Sequence, residues 1–182
     1  GRLSGHNSII DILLLISFFP HLVAGPIVRG ADFLPQLQRQ KSSDQIEAPK
    51  AFRLIIFGLF KKVVVAASLG SLVVDPFFDS PINFSALDAL IGIMGYAVQI
   101  YCDFSAYMDM ATGFAALLGY EFPNNFNQPY RATSLQDFWR RWHISLSNWL
   151  RDYLYVSLGG SRNGNLKTYR NLILTMALGG LW

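Results

Sequence analysis

Apolar residues in this chain come in long blocks separated by short polar stretches. No segment alternates with the period of two that a half-buried strand needs. The first block, residues 8–19, reads SIIDILLLISFF and carries one charge, Asp11, before Pro20 closes it. Extended through His21 to Pro26 it reaches about 18 residues, the lower limit for a membrane-crossing helix. The prolines on either side of His21 predict a broken or re-entrant segment, whose backbone has to be satisfied by protein or by a cavity. Residues 51–74 form the second block, interrupted by Lys61 and Lys62. A charge at the bilayer centre costs a few kcal/mol, so these lysines are expected to snorkel to the surface or to turn inward. The pattern predicts an interfacial helix up to Lys62 and a short tilted span beyond it. The proline- and acid-rich stretch 75–84 reads as a turn region. The third block, 86–119, is longer than one span needs, and a fourth begins at Asn171. Together these predict an all-α fold: a polytopic helical membrane protein with broken or re-entrant and interfacial helices.

Between the third and fourth blocks lies a stretch of different character, QPYRATSLQDFWRRWHISLSNWLRDYLYVSLGG at 128–160. Ser134 followed by Asp137 has the spacing of an N-cap with an acidic third residue. The spacing predicts one helix from there to Gly159 and Gly160, which supply a stop. On that helix Trp139, Trp142, His143, Leu146, Trp149, Leu150 and Tyr153 recur at intervals of three and four and would share a face. Arg140, Arg141 and Arg151 would lie mainly on the rest of the wheel. Ser147 would stand one turn from His143, with Arg140 one turn back. Spacing alone also allows a packed structural histidine.

Charge and composition sharpen the membrane reading. Of the 182 residues, 52% are hydrophobic and 15% charged, against about 25% charged in an ordinary soluble domain. The net charge is +3, but residues 63–130 hold no lysine or arginine, only Asp75, Asp79, Asp88, Asp103, Asp109 and Glu121. Membrane proteins concentrate basic residues in cytoplasmic loops. The simplest topology therefore puts 29–62 and 131–170 on the cytoplasmic side and 75–88 outside. The one cysteine, Cys102, excludes an internal disulfide and a multi-cysteine metal site. The three histidines are far apart in sequence, so no metal is expected. No phosphate loop or dinucleotide fingerprint is present, and the basic residues do not favour nucleic acid over membrane.

Within the third block Asp103, Ser105, Tyr107 and Asp109 stand among small apolar residues. Acids inside a membrane segment mark a functional site by default. They can equally cap a helix break or bond neighbouring helices, since buried polar groups need partners. On residues alone three classes stay open: an enzyme, a transporter or channel segment with Asp103, Asp109 and His143 along its path, and a helical scaffold.

Four motifs then agree in order with a known family. FFPHLVAGPIVRGADFLPQL, QIYCDFSAYMDMATGFAALLGYEFPNNFNQPYRA, WRRWHISLSNWLRDYLY, and YVSLGGSRNG followed by RNLILTMALGGLW resemble the signature segments of membrane-bound O-acyltransferases, closest to the bacterial alginate O-acetyltransferase branch. The resemblance runs through nearly the whole chain. It implies that residues 1–182 are a single central piece of a multi-pass protein of the bacterial inner membrane. It places one family histidine at His143, and a second, catalytic one just past Trp182, so this stretch alone is expected to be inactive. It further implies acyl transfer from a cytoplasmic donor, acetyl-CoA or an acyl carrier, with no bound cofactor. The acetyl group would pass through downstream periplasmic acetyltransferase proteins to hydroxyls of a polysaccharide such as alginate. A sister branch transfers D-alanine to teichoic acids. Chemistry suits the resemblance. A histidine can act as a base near neutral pH. Arg140, Arg141 and Arg151 would welcome the phosphates of the donor, beside Trp139, Trp142 and Ser147.

Overall fold

A computed structural model describes residues 8–39, 42, 44, 46–162 and 164–181. Its secondary structure is helical throughout the described residues, with no strand among them. The chain divides into two compact units, Gly1–Pro123 and Asn124–Trp182.

In the first unit, α1 covers Ile9–Ser17. The Ser8 hydroxyl accepts from the Ile10 N–H, and Asp11 accepts from the Ser8 N–H, which caps the helix start. At nine residues the helix is about 14 Å long, too short to cross a bilayer by itself. It stops before Pro20, where a 3₁₀ turn, Phe19–His21, takes over. The chain breaks at this point, as the two prolines predict. A second short helix, α2, spans Gly30–Leu37. Its Phe33 is fully buried with Ala115 and Phe122, and Phe18, Tyr120 and Leu15 pack around them. Phe33 stacks on Tyr120 at 5.0 Å, and Phe18 meets Phe33 at 4.9 Å. Such ring pairs add about 0.5–1.5 kcal/mol each beyond their buried area. Gln36 closes the cluster, accepting from the Glu121 N–H at 2.8 Å and donating to the Glu121 carbonyl at 3.2 Å.

Two long helices dominate this unit. Helix α3 runs unbroken over Ala48–Asp79 and α4 over Ala86–Leu117, 32 residues each. Both are long and apolar enough to cross a membrane, and only 17% and 28% of their most apolar windows are buried. The core helix of a soluble protein would be mostly covered, so the exposed apolar surface fits lipid instead. Ser85 caps α4, accepting from the Asp88 N–H.

The backbone corrects two expectations here. α3 does not divide at Lys62 into an interfacial helix and a separate span. It stays helical, in π geometry over Phe60–Ala66 and Gly70–Val74. Nor does α4 break at its acids, so Asp103 and Asp109 cap nothing. The physical reason is shared. Lys61 pairs with Asp109 at 2.7 Å and donates to the Ser105 hydroxyl at 2.8 Å, while Lys62 pairs with Asp103 at 2.5 Å. Each charge is answered across the helix pair, and neither helix has to end. Glycines let the two backbones approach. A Cβ on Gly58 would lie 2.8 Å from the Ala106 carbonyl oxygen, and one on Gly113 would lie 2.9 Å from that of Ala51. Close approach through small residues is how helices pack where lipid removes the hydrophobic drive.

In the second unit α5 covers Leu135–Arg141 and α6 Ile144–Trp149, the latter continuing as a π-helical turn through Tyr155. Gly159 and Gly160 take positive φ of 108° and 56° and stop the chain where the sequence predicts. Helix α7 spans Asn165–Leu181. Its buried Asn171 donates to the Gly160 carbonyl at 2.9 Å, tying the glycine turn down.

Candidate functional site

The stretch expected to form one helix from Ser134 onward forms two. Ser134 does cap α5, its hydroxyl accepting from the Asp137 N–H at 3.1 Å. Helix α5 then ends at Arg141. Trp142 turns extended, with φ −102° and ψ 127°, and His143 enters the left-handed region at φ 41° and ψ 60°. A non-glycine residue rarely holds that conformation, and it persists only where its surroundings impose it.

The loop at 124–127 does the imposing. The Asn127 N–H donates to the Arg141 carbonyl at 2.9 Å, and the Ile144 N–H donates to the Asn125 carbonyl at 3.0 Å. The Ser145 N–H donates to the side-chain Oδ1 of Asn125 at 2.8 Å. Donors that a continuous helix would pair within itself are claimed from outside. Asn125, only 3% exposed, thus acts as a remote cap on the start of α6, where His143 offers no side-chain cap. Helical periodicity and capping spacing give no sign of this role for Asn125. Its one signal is the asparagine cluster Asn124, Asn125, Asn127, a residue type whose side chain mimics backbone.

The kink also breaks up the expected aromatic face. Trp142 leaves the helical wheel and joins Phe126 edge-on at 4.9 Å and Phe138 in a stack at 5.5 Å. Trp139 stays on α5, half-exposed. Trp149 and Tyr153 pair with each other at 5.4 Å further along. Ser147 does not serve the imidazole across one turn. Its hydroxyl lies 3.1 Å from the Trp139 carbonyl and 3.3 Å from that of Trp142, and closes the end of α5. Its N–H donates to the His143 carbonyl at 3.0 Å.

His143 sits at the apex of this junction, half-buried. Burial pushes its imidazole down to about 4, so the ring is neutral at physiological pH. The cause is desolvation by burial; Arg140, one turn back in sequence, does not contribute. Of the three arginines expected to meet an anionic donor, two are already paired. Arg141 contacts Asp137 at 3.0 Å and Arg151 contacts Asp152 at 2.8 Å. The Arg141 contact also holds the Asp137 carboxyl below the usual carboxylate range. Arg140 is exposed, and no hydrogen bond or ion pair among the described residues engages its side chain, though its charge adds to the field on Asp137.

The polar residues of α4 belong to the first unit and form a set of their own. Asp109 and Asp103 are paired with ammonium groups across the helix pair, at 34% and 50% side-chain exposure. Tyr107 stands one turn beyond Asp103, half-buried. Among the described residues no group of three or more metal-ligating side chains gathers.

Over residues 2–182 the chain matches the family described as MBOAT, membrane-bound O-acyltransferase. It is 47% identical over 182 residues to the probable alginate O-acetylase AlgI of Pseudomonas aeruginosa, covering all of this chain and 34% of that protein. It is 45% identical over 175 residues to the peptidoglycan O-acetyltransferase of Helicobacter pylori, covering 95% of this chain and 33% of that protein. The teichoic acid D-alanyltransferase of Bacillus subtilis is more distant, 29% identical over 158 residues that make up 86% of this chain and 40% of that protein. The chain therefore spans about a third of the length of the acetyl-transferring relatives. The motif resemblance and the full-length match agree, and the chain belongs to the membrane-bound O-acyltransferase family.

Proposed function

We propose that the full-length protein transfers an acetyl group from a cytoplasmic donor toward hydroxyls of an extracytoplasmic polysaccharide such as alginate. The observation that carries this reading is His143, a neutral imidazole held in left-handed backbone at a kink that Asn125 enforces. In the reaction a hydroxyl oxygen attacks the thioester carbonyl, its proton passes to a base, and the thiolate leaves. A neutral ring can take that proton or orient the attacking group. Desolvation makes His143 a weak base at rest, which favours orientation unless a developing negative charge nearby raises its basicity. A second family histidine beyond Trp182 is proposed as its partner. The donor is acetyl-CoA or an acyl carrier, whose phosphates Arg140 can contact. Passage to the polymer is proposed to run through downstream periplasmic acetyltransferase proteins.

The location proposed is the bacterial inner membrane, multi-pass, with 29–47 and 131–170 cytoplasmic, since residues 48–62 of the expected cytoplasmic stretch are the first half of α3. The charge gap over 63–130 supports that orientation. Acetyl transfer is preferred to D-alanyl transfer because the acetyl-transferring relatives are 45–47% identical, against 29% for the D-alanyltransferase. The test uses the full-length protein in membrane vesicles with labelled acetyl-CoA or acetylated carrier on the cytoplasmic face. Label should reach polysaccharide hydroxyls, or the partner proteins, on the opposite face. Transfer of D-alanine from its carrier, with no acetyl transfer from either donor, would overturn the proposal.

A further inference from the structure

His143 has a counterpart in left-handed backbone. Gln128 is the other non-glycine residue with positive φ among the described residues, at φ 47° and ψ 58°. Its conformation is unusual on two counts. A residue with a Cβ rarely adopts it, and the residue before a proline, here Pro129, is pushed toward extended backbone. The Gln128 side chain is engaged locally. Its Oε1 accepts from the Arg131 Nη1 at 2.9 Å, and its carbonyl accepts from the Arg131 N–H at 3.0 Å. These bonds tie Gln128 to the turn that follows it, not to His143.

Two arms of chain meet at Gln128, and both close on the junction between α5 and α6. Before it, the Asn127 N–H bonds the Arg141 carbonyl, Phe126 meets the Trp142 ring edge-on, and Asn125 holds the N–H groups of Ile144 and Ser145. After it, Pro129 is fully buried, and the Tyr130 ring lies 6.2 Å from that of Phe138 and 6.5 Å from that of Trp142. An extended Gln128 would carry the second arm away from the first, and the junction would be held from one side only.

We infer that Gln128 is a positioning residue for the proposed acyl transfer: its left-handed backbone folds both arms of the loop onto the α5–α6 junction and so holds the His143 ring in place. The inference rests on the role proposed for His143. Backbone strain persists where the surroundings over-determine it, and it clusters at functional sites. Here two strained residues are joined through one set of hydrogen bonds, so relaxing Gln128 releases His143.

The test uses the full-length protein in membrane vesicles, with Gln128 replaced in turn by Gly, Asn, Ala and Val. Glycine and asparagine accept left-handed backbone, alanine less readily, and β-branched valine least. The kcat of acetyl transfer should stay near the unaltered value in Gln128→Gly and Gln128→Asn. It should fall about tenfold or more in Gln128→Val, with KM for the donor unchanged, because misplacing a reacting group costs rate. Gln128→Ala should fall between, and its comparison with Gln128→Gly decides the matter where Gln128→Val does not fold. A loss in Gln128→Gly equal to that in Gln128→Ala would assign the effect to the Arg131 bond and overturn the inference. So would rates near the unaltered value in every folded variant. Carbethoxylation of His143 at neutral pH, read by mass spectrometry, reports the ring without turnover. It should run severalfold faster in Gln128→Ala and Gln128→Val, and at the unaltered rate in Gln128→Gly. That pattern in a protein that transfers no acetyl group would sink the functional proposal and leave the placement of His143 standing. Equal carbethoxylation throughout the series would overturn the placement, whatever the activity.

Discussion

At the scale of single residues, His143 and Asn125 form one device. Asn125 supplies the acceptors that α6 needs at its start, and the price is a left-handed histidine. Asn125→Ala would leave the Ser145 N–H without its acceptor in a buried place, at a cost of about 1–3 kcal/mol. A lowered melting temperature of the full-length protein, with activity lost before the fold, is the expected result. The depressed imidazole has its own signature. Its folded pKa, about 4, lies below the unfolded value of about 6.5. The unfolded chain therefore binds more protons between those values, and stability falls as pH drops through that window. The acid limb of kcat/KM should accordingly fall near 4–5 rather than at the ordinary histidine value of about 6.5. A limb at 6.5 or above would show that His143 is solvated in the working enzyme.

Helices are the scale at which the sequence was most and least legible. The apolar blocks at 51–74 and 86–119 announce long helices, and Ser134, Gly159 and Gly160 announce where the chain starts and stops turning. The junction at His143 could not be read this way. Helical periodicity carries straight through WRRWHISLSNW, and the hydrogen bonds that break it come from Asn125, about 20 residues back in the chain. Likewise Lys61 and Lys62 look like interruptions until Asp103 and Asp109 are placed opposite them. The contact between α3 and α4 can be tested directly. Gly58→Ala and Gly113→Ala would push a methyl group against backbone carbonyls, an overpacking cost of about 1–3 kcal/mol. Gly180→Ala, with open space around it, should be neutral. Folded yield after mild detergent extraction would separate the three, and equal yields would contradict the crossing described.

For the whole molecule, the segregation of charge says more than its total. Basic residues lie on either side of an acidic middle block, and Asp75, Asp79 and Asp88 stand at the facing ends of the two long helices, around the loop at 80–85. If the proposed orientation is right, a cysteine at Ser80 in a Cys102→Ala full-length protein is labelled from outside intact cells by an impermeant reagent. One at Ser161 is labelled only after the membrane is opened. The reverse pattern would move the donor side, and Arg140 with it, to the wrong face. Family membership was legible because four motifs recur in order. The kinked backbone that presents His143 was not, since motif order carries no dihedral angles.

The central claim is that His143 serves acyl transfer rather than packing. The most direct measurement is the acetyl-transfer rate of His143→Asn in the full-length, membrane-inserted protein. Asparagine tolerates the left-handed backbone better than alanine or glutamine and keeps hydrogen-bonding groups, so the junction should survive. A loss of about 10²-fold or more in kcat, with the melting temperature unchanged, is the result expected if the ring handles or orients a proton. A rate near that of the unaltered protein at every pH would contradict the claim and leave His143 a structural residue.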